Sequence, residues 1–172
     1  MAFPTAAQTI AIDVSNWSPE RVARFKQVSK VKHDPPIAVL SIPRLQFTAP
    51  VFRGSDALTL DRGLGWIDST AQPNSNGNTG IAGHRDGFFR PLKDIALDDE
   101  IDVMTSGTTQ RFVVRGLEVV DPSHVEVLAP THDARLTLVT CYPFYYPGEA
   151  PQRLIVHAVA AQSASDSAAG EP

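Results

Sequence analysis

Short runs with the two-residue period of β-strands constrain this chain most. Apolar residues alternate, or cluster among β-branched neighbours, at residues 37–42, 45–52, 79–82, 101–105, 110–120, 136–141 and 153–159. Breaks at Pro43, at the 71–78 loop with its Asn76-Gly77 turn signal, and at Ser106-Gly107-Thr108 separate the runs. A short helical or irregular piece over 123–128 lies between Pro122 and Pro130. With seven or eight such runs and little helix to cover parallel strands, the sequence predicts an all-β domain, closed or nearly closed into an antiparallel barrel.

Flanking segments read differently. Residues 1–36 form an N-terminal appendage in which Ser18-Pro19-Glu20 caps a short amphipathic helix with an apolar stripe of Val22, Phe25 and Val28. Asp34-Pro35-Pro36 is expected to end it, and the helix to pack on the outside of the domain. The barrel is expected over 37–161, and the small polar residues 162–172 as a disordered tail. A chain of 172 residues with 42% hydrophobic and 20% charged residues suits one core. A net charge of -4, with scattered basic residues, gives no electrostatic reason to bind nucleic acid or an anionic membrane. No apolar run approaches the ~18 residues of a membrane span, and the start lacks signal-peptide features.

Chemistry gathers at the last two runs. Cys141, the only cysteine, ends one run; a loop with Pro143, Pro147, Gly148 and Pro151 follows; Arg153 opens the next run. A thiol and a guanidinium are thereby set at adjoining strand ends, where a fixed positive charge favours the reactive thiolate. A buried, inert thiol is the competing reading. Of five histidines, His33, His124 and His132 fall in the appendage or in loops, and His157 shares a strand face with Arg153 and Ile155. His84 alone is placed like Cys141, at the end of a strand and between Gly83 and Gly87. Zinc is disfavoured because no Cys-x-x-Cys or His-x-x-x-His spacing is present. Asp98, Asp99, Glu100 and Asp102 lack the glycine and terminal glutamate of a calcium loop and read as a solvated hairpin edge.

Three pieces of sequence resemble the sortase family of cysteine transpeptidases. Asn-Thr-Gly-Ile-Ala-Gly-His-Arg-Asp at 78–86 is similar to the family's histidine motif, and Leu-Thr-Leu-Val-Thr-Cys at 136–141 to its Thr-Leu-x-Thr-Cys motif. Arg153 stands at the family's arginine position, twelve residues after the cysteine. Cys-Tyr-Pro-Phe-Tyr-Tyr at 141–146, Ala-Pro-Gln-Arg at 150–153 and Phe-Phe-Arg-Pro-Leu at 88–92 look most like the class D branch. The likeness covers about residues 37–160.

The resemblance implies an eight-stranded barrel in which Cys141 is the nucleophile, His84 the general acid and then base, and Arg153 the oxyanion or substrate-backbone partner. The substrate it implies is a Leu-Pro-x-Thr-Gly or Leu-Pro-x-Thr-Ala sorting signal on a protein. The acceptor is an amine on peptidoglycan or on another protein, and the setting is the outer face of a bacterial cytoplasmic membrane. Thr140 is a candidate substrate contact only if the strand bends locally, because it faces away from Cys141. No cofactor or metal is called for, with calcium activation left open. The family's N-terminal anchor has no counterpart here, so the chain reads as a soluble catalytic part with the anchor removed. The same three residues would serve a cysteine hydrolase, and a non-catalytic barrel that binds an envelope peptide is a third reading.

Overall fold

A computed structural model describes residues 10–162, so residues 163–172 of the expected tail lie outside the described residues. Eight strands close into a barrel: β1 (Ala38–Ile42), β2 (Phe47–Arg53), β3 (Leu64–Trp66), β4 (Asn78–Ala82), β5 (Glu100–Met104), β6 (Thr109–Val120), β7 (Arg135–Tyr142) and β8 (Gln152–Ala160). Around the barrel the order is β1-β2-β3-β4-β7-β8-β6-β5. Closure leaves no free sheet edge.

The expected barrel is present, but it is not purely antiparallel. β2 runs parallel to β3, and β4 runs parallel to β7. The first crossover is made by α2 (Ala57–Arg62), a helix too short to show its period in the sequence, and β3 has only three residues. Gly65 in β3 exists to let these pieces touch: a Cβ there would lie 2.3 Å from the Gly54 carbonyl oxygen and 2.9 Å from Leu60. The second crossover carries the chain from β4 through the β5–β6 hairpin and back to β7. That excursion makes residues far apart in sequence neighbours across one ladder.

Alternation fills the interior. Leu136 and Leu138 of β7, Leu154, Val156 and Ala158 of β8, Ile101 and Val103 of β5, and Phe112 and Val114 of β6 join one core with Leu40, Val51, Ile81, Phe89 and Leu92. Each fully buried large side chain contributes about 1.5–3 kcal/mol of transfer free energy. Cys141, Arg153 and His157 fall by the same alternation on the outer face, as does Ile155, which is nonetheless buried.

Helix α1 (Pro19–Val28) lies against the outside of the barrel. Ser18 caps it, its hydroxyl accepting from the Arg21 amide at 3.2 Å. Trp17, Phe25 and Phe88 meet edge to face with centroids 4.7–5.7 Å apart, which fastens the helix to the segment after β4. It stops at Val28, well before Asp34-Pro35-Pro36, because Ser29 caps it and bonds back to the Phe25 carbonyl through both its amide and its hydroxyl. The acidic hairpin edge also differs from expectation. Asp99 is buried and bonded to Arg44 and to the Ala96 amide, so it pins the chain ahead of β5. Asp98, by contrast, pairs with Arg115 on the surface, and Glu100 and Asp102 with Arg111.

Candidate active site

Three neighbouring strand ends bring His84, Cys141 and Arg153 into one row. In the antiparallel β7–β8 ladder Cys141 is directly opposite Arg153. On the other side of β7, the parallel ladder with β4 runs to Ala82 opposite Val139. It continues one step further, the Gly83 amide donating to the Val139 carbonyl at 3.1 Å and the Thr140 hydroxyl donating to the Gly83 carbonyl at 2.8 Å. The next residue, His84, thereby comes level with Cys141. Adjacent strands lie about 4.8 Å apart, so a thiol, an imidazole and a guanidinium stand side by side. Gly83 is required by packing: a Cβ there would lie 2.6 Å from Phe89 and 2.7 Å from Leu64.

All three side chains line one cleft of about 910 Å³. Its far wall is the β7–β8 loop, with Phe144, Tyr145 and Tyr146, and that loop is held by arginines from the histidine segment. Arg85 donates to the Pro143 carbonyl through Nη1 and to the Gly148 carbonyl through Nη2, each at 2.6 Å. Arg90 reaches toward the Phe144 carbonyl at 3.4 Å, and its guanidinium covers the Tyr145 ring at 4.3 Å. Arg153 is steadied by the Ala150 and Gln152 carbonyls, at 3.2 and 2.8 Å. Tyr145 is 72% exposed, so the loop presents aromatic surface to the cleft mouth.

Charge around His84 comes from outside the barrel. Its Nε2 is 3.7 Å from Asp61 Oδ1. Arg21 of α1 donates to that same oxygen at 2.6 Å and to Asp86 Oδ1 at 3.1 Å. Burial holds the imidazole below its ordinary pKa, and the Arg21 charge adds to this against the pull of Asp86 and Asp61. Burial would raise the Asp86 carboxyl, but Arg21 and the Ser18 hydroxyl hold it below the usual value. An imidazole held toward its neutral form and level with the thiol is an arrangement suited to taking a proton.

With that geometry in place, the likeness to known proteins is specific. A family model described as the Sortase domain matches residues 40–161. The chain belongs to the sortase family. It is 31% identical over 120 residues to Sortase D of Bacillus subtilis, covering 69% of this chain and 61% of that protein. Over 127 residues it is 27% identical to Sortase A of Listeria monocytogenes, covering 72% and 57% respectively. It thus spans less than two thirds of the length of these curated relatives. Among solved structures it resembles a Clostridium perfringens Sortase D5 transpeptidase with a TM-score of 0.69 and 28% identity, over 86% of this chain and 91% of that one. Sortase A from Corynebacterium diphtheriae gives 0.68 and 28%, over 85% and 70%. The class D likeness of the loop sequences agrees with the two Sortase D relatives.

The remaining candidates sort by position within this sortase domain. Thr140 does not line the cleft; it is 2% exposed, faces inward, and spends its hydroxyl on the Gly83 carbonyl. The strand has no local bend to turn it outward, so it supports the floor that carries His84. His157 bonds Glu118 at 2.7 Å on the outer face, His124 lies 3.6 Å from Glu126, His33 meets Phe52 edge to face at 5.2 Å, and His132 is exposed. None of these four lines the cleft with Cys141. Among the described residues no three His, Cys, Asp or Glu side chains gather in a way that could hold a metal ion. Sequence reasoning missed Arg21, Asp61 and Asp86. Asp86 was within reach, two residues from His84, but nothing in the pattern links it to α1 or to α2.

Proposed function

We propose that this chain is the catalytic part of a cysteine transpeptidase that cleaves a Leu-Pro-x-Thr-Gly or Leu-Pro-x-Thr-Ala sorting signal after threonine and passes the acyl group to an amine. The observation that carries this reading is the row of His84, Cys141 and Arg153 across three adjoining strands, open to a single cleft. Cys141 gives its proton to His84 and attacks the threonine carbonyl. Arg153 faces the oxygen on which negative charge develops; loss of one such donor typically costs about 2.7–4 kcal/mol of barrier. His84, now protonated, delivers its proton to the departing amine as the C–N bond breaks, leaving a thioester on Cys141. An incoming amine then attacks the thioester and gives its proton to His84; the C–S bond breaks as the new amide forms, and His84 returns the proton to the departing sulfur, restoring the thiol.

The acceptor amine belongs to peptidoglycan or to another envelope protein, and the site of action is the outer face of the bacterial membrane. No helix among the described residues is long and apolar enough to cross a membrane. The division into an appendage over 1–36, a barrel over 37–161 and a tail over 162–172 is part of the same proposal.

Incubation with a small library of Leu-Pro-x-Thr-x peptides, with and without an amine acceptor and with products read by mass, tests the proposal. Acceptor-dependent ligation is expected. Cleavage that ignores the acceptor would instead assign a hydrolase, and binding without cleavage a peptide-binding barrel.

A further inference from the structure

Helix α1 lies outside the barrel, yet it sends a side chain into the wall of the cleft. The Arg21 side chain is only 14% exposed. Its fork spans two carboxylates from different parts of the chain, Asp61 on α2 at 2.6 Å and Asp86 after β4 at 3.1 Å. Asp86 is also held by α1 itself, its Oδ2 accepting from the Ser18 hydroxyl at 3.0 Å and its carbonyl from the Ser18 amide at 3.3 Å. Asp61 is 9% exposed, and the oxygen that Arg21 holds is the one that lies against Nε2 of His84.

Fastening a helix does not require this arrangement. The cluster of Trp17, Phe25 and Phe88 already does so through apolar contact. Burying a carboxylate is costly unless it is paired with good geometry, and this pairing aims the carboxylate at a ring nitrogen. A carboxylate held against one imidazole nitrogen fixes the ring's orientation and favours a proton on that nitrogen.

We infer that Arg21 and Asp61 are positioning residues of the catalytic centre, Arg21 locking the Asp61 carboxylate against His84 so that the imidazole keeps one orientation toward Cys141. The N-terminal helix is then a working part of the site. This rests on the reading of His84 as acid and base. The charged groups around the ring are Arg21 and Arg24 from α1, Asp61 from α2 and Asp86 from its own loop. Across the cleft stand Cys141 on β7, Arg153 on β8 and Glu149 in the β7–β8 loop. Asp61 draws a proton onto the ring, whereas Arg21 opposes it.

The test is an NMR titration of the His84 ring in the full chain, with its signal assigned by its loss in His84→Gln, for the parent, Asp61→Asn and Arg21→Gln. Asp61→Asn is expected to lower the titration midpoint and Arg21→Gln to raise it. In both variants kcat for peptide cleavage is expected to fall about 10- to 100-fold, with KM changed less than about twofold. If α1 were merely fastened by these groups, either variant would loosen it and expose the ring, and both midpoints would rise. Midpoints that move in the same direction, or not at all, with cleavage by the parent intact would overturn this inference alone. Absence of cleavage by the parent would overturn the transpeptidase reading, and the positioning role with it.

Discussion

Replacing Thr140 by valine removes one buried hydroxyl and almost nothing else. The two side chains have nearly the same shape, so no cavity opens, and the loss is the 2.8 Å bond that the hydroxyl donates to the Gly83 carbonyl. Thr140 is 2% exposed and Gly83 is buried, so water does not replace the lost donor. An unsatisfied buried acceptor costs about 1–3 kcal/mol. For a domain of this size each kcal/mol lowers Tm by about 2–4 °C, so Thr140→Val is expected to melt about 2–12 °C below the parent. The bond also sets the height of the strand end that carries His84, so kcat for peptide cleavage is expected to fall about 10- to 100-fold, the usual penalty for a misplaced catalytic group. Thr140→Ser keeps the donor and should recover most of both losses. Thermal unfolding and a cleavage assay on the three proteins measure this. A valine variant that melts within about 1 °C of the parent and cleaves at the parent rate would refute the reasoning.

Arg85→Ala removes the two 2.6 Å bonds that close the β7–β8 loop, each to a charged donor and worth about 1.5–3 kcal/mol at most; KM for the peptide is expected to rise, with kcat less affected, by steady-state kinetics. Acidification should destabilise the fold in two windows read by urea midpoints. Burial and Arg21 hold His84 below its ordinary value, so its contribution is complete above about pH 6.5 and is lost as pH falls through the lower folded value; His84→Gln should abolish this window. Asp86, held low by Arg21 and Ser18 against burial, contributes above about pH 3.9 and loses that contribution as pH falls through its own folded value. Cys141 is partly exposed in the cleft, so mild alkylation of the folded protein should label it; a thiol that reacts only after unfolding would contradict the assignment of Cys141 to the cleft.

Much of this site was legible because its parts sit where period and punctuation leave a mark. The alternation Leu136, Leu138, Thr140 against Cys141, and Leu154, Val156 against Arg153, places thiol and guanidinium outward on adjoining strands, and the ladder has them so. Gly83-His84-Arg85 announced a strand end. What the pattern could not carry was pairing between distant pieces. The parallel β4–β7 ladder joins residues more than fifty positions apart, and the three-residue β3 and six-residue α2 are too short to repeat a period. Nothing in the sequence sets Arg21 apart from Arg24 and Lys26, the other basic residues of α1. Its role exists only once α1, α2 and the His84 loop converge, which no local signal records. Asp99 was misread for the same reason, since its partner Arg44 follows β1, the strand that pairs with β5 but lies 55 positions away in sequence.

The central claim is that Cys141 forms a covalent acyl-enzyme. Intact-protein mass measured within the first turnover, on mixing with a Leu-Pro-x-Thr-Gly or Leu-Pro-x-Thr-Ala peptide, tests it directly. The account predicts a gain equal to the Leu-Pro-x-Thr acyl group, mapped to Cys141, absent in Cys141→Ala, and discharged on adding an amine with the matching ligated product. Cleavage of the peptide with no adduct on Cys141, or undiminished cleavage by Cys141→Ala, would contradict it.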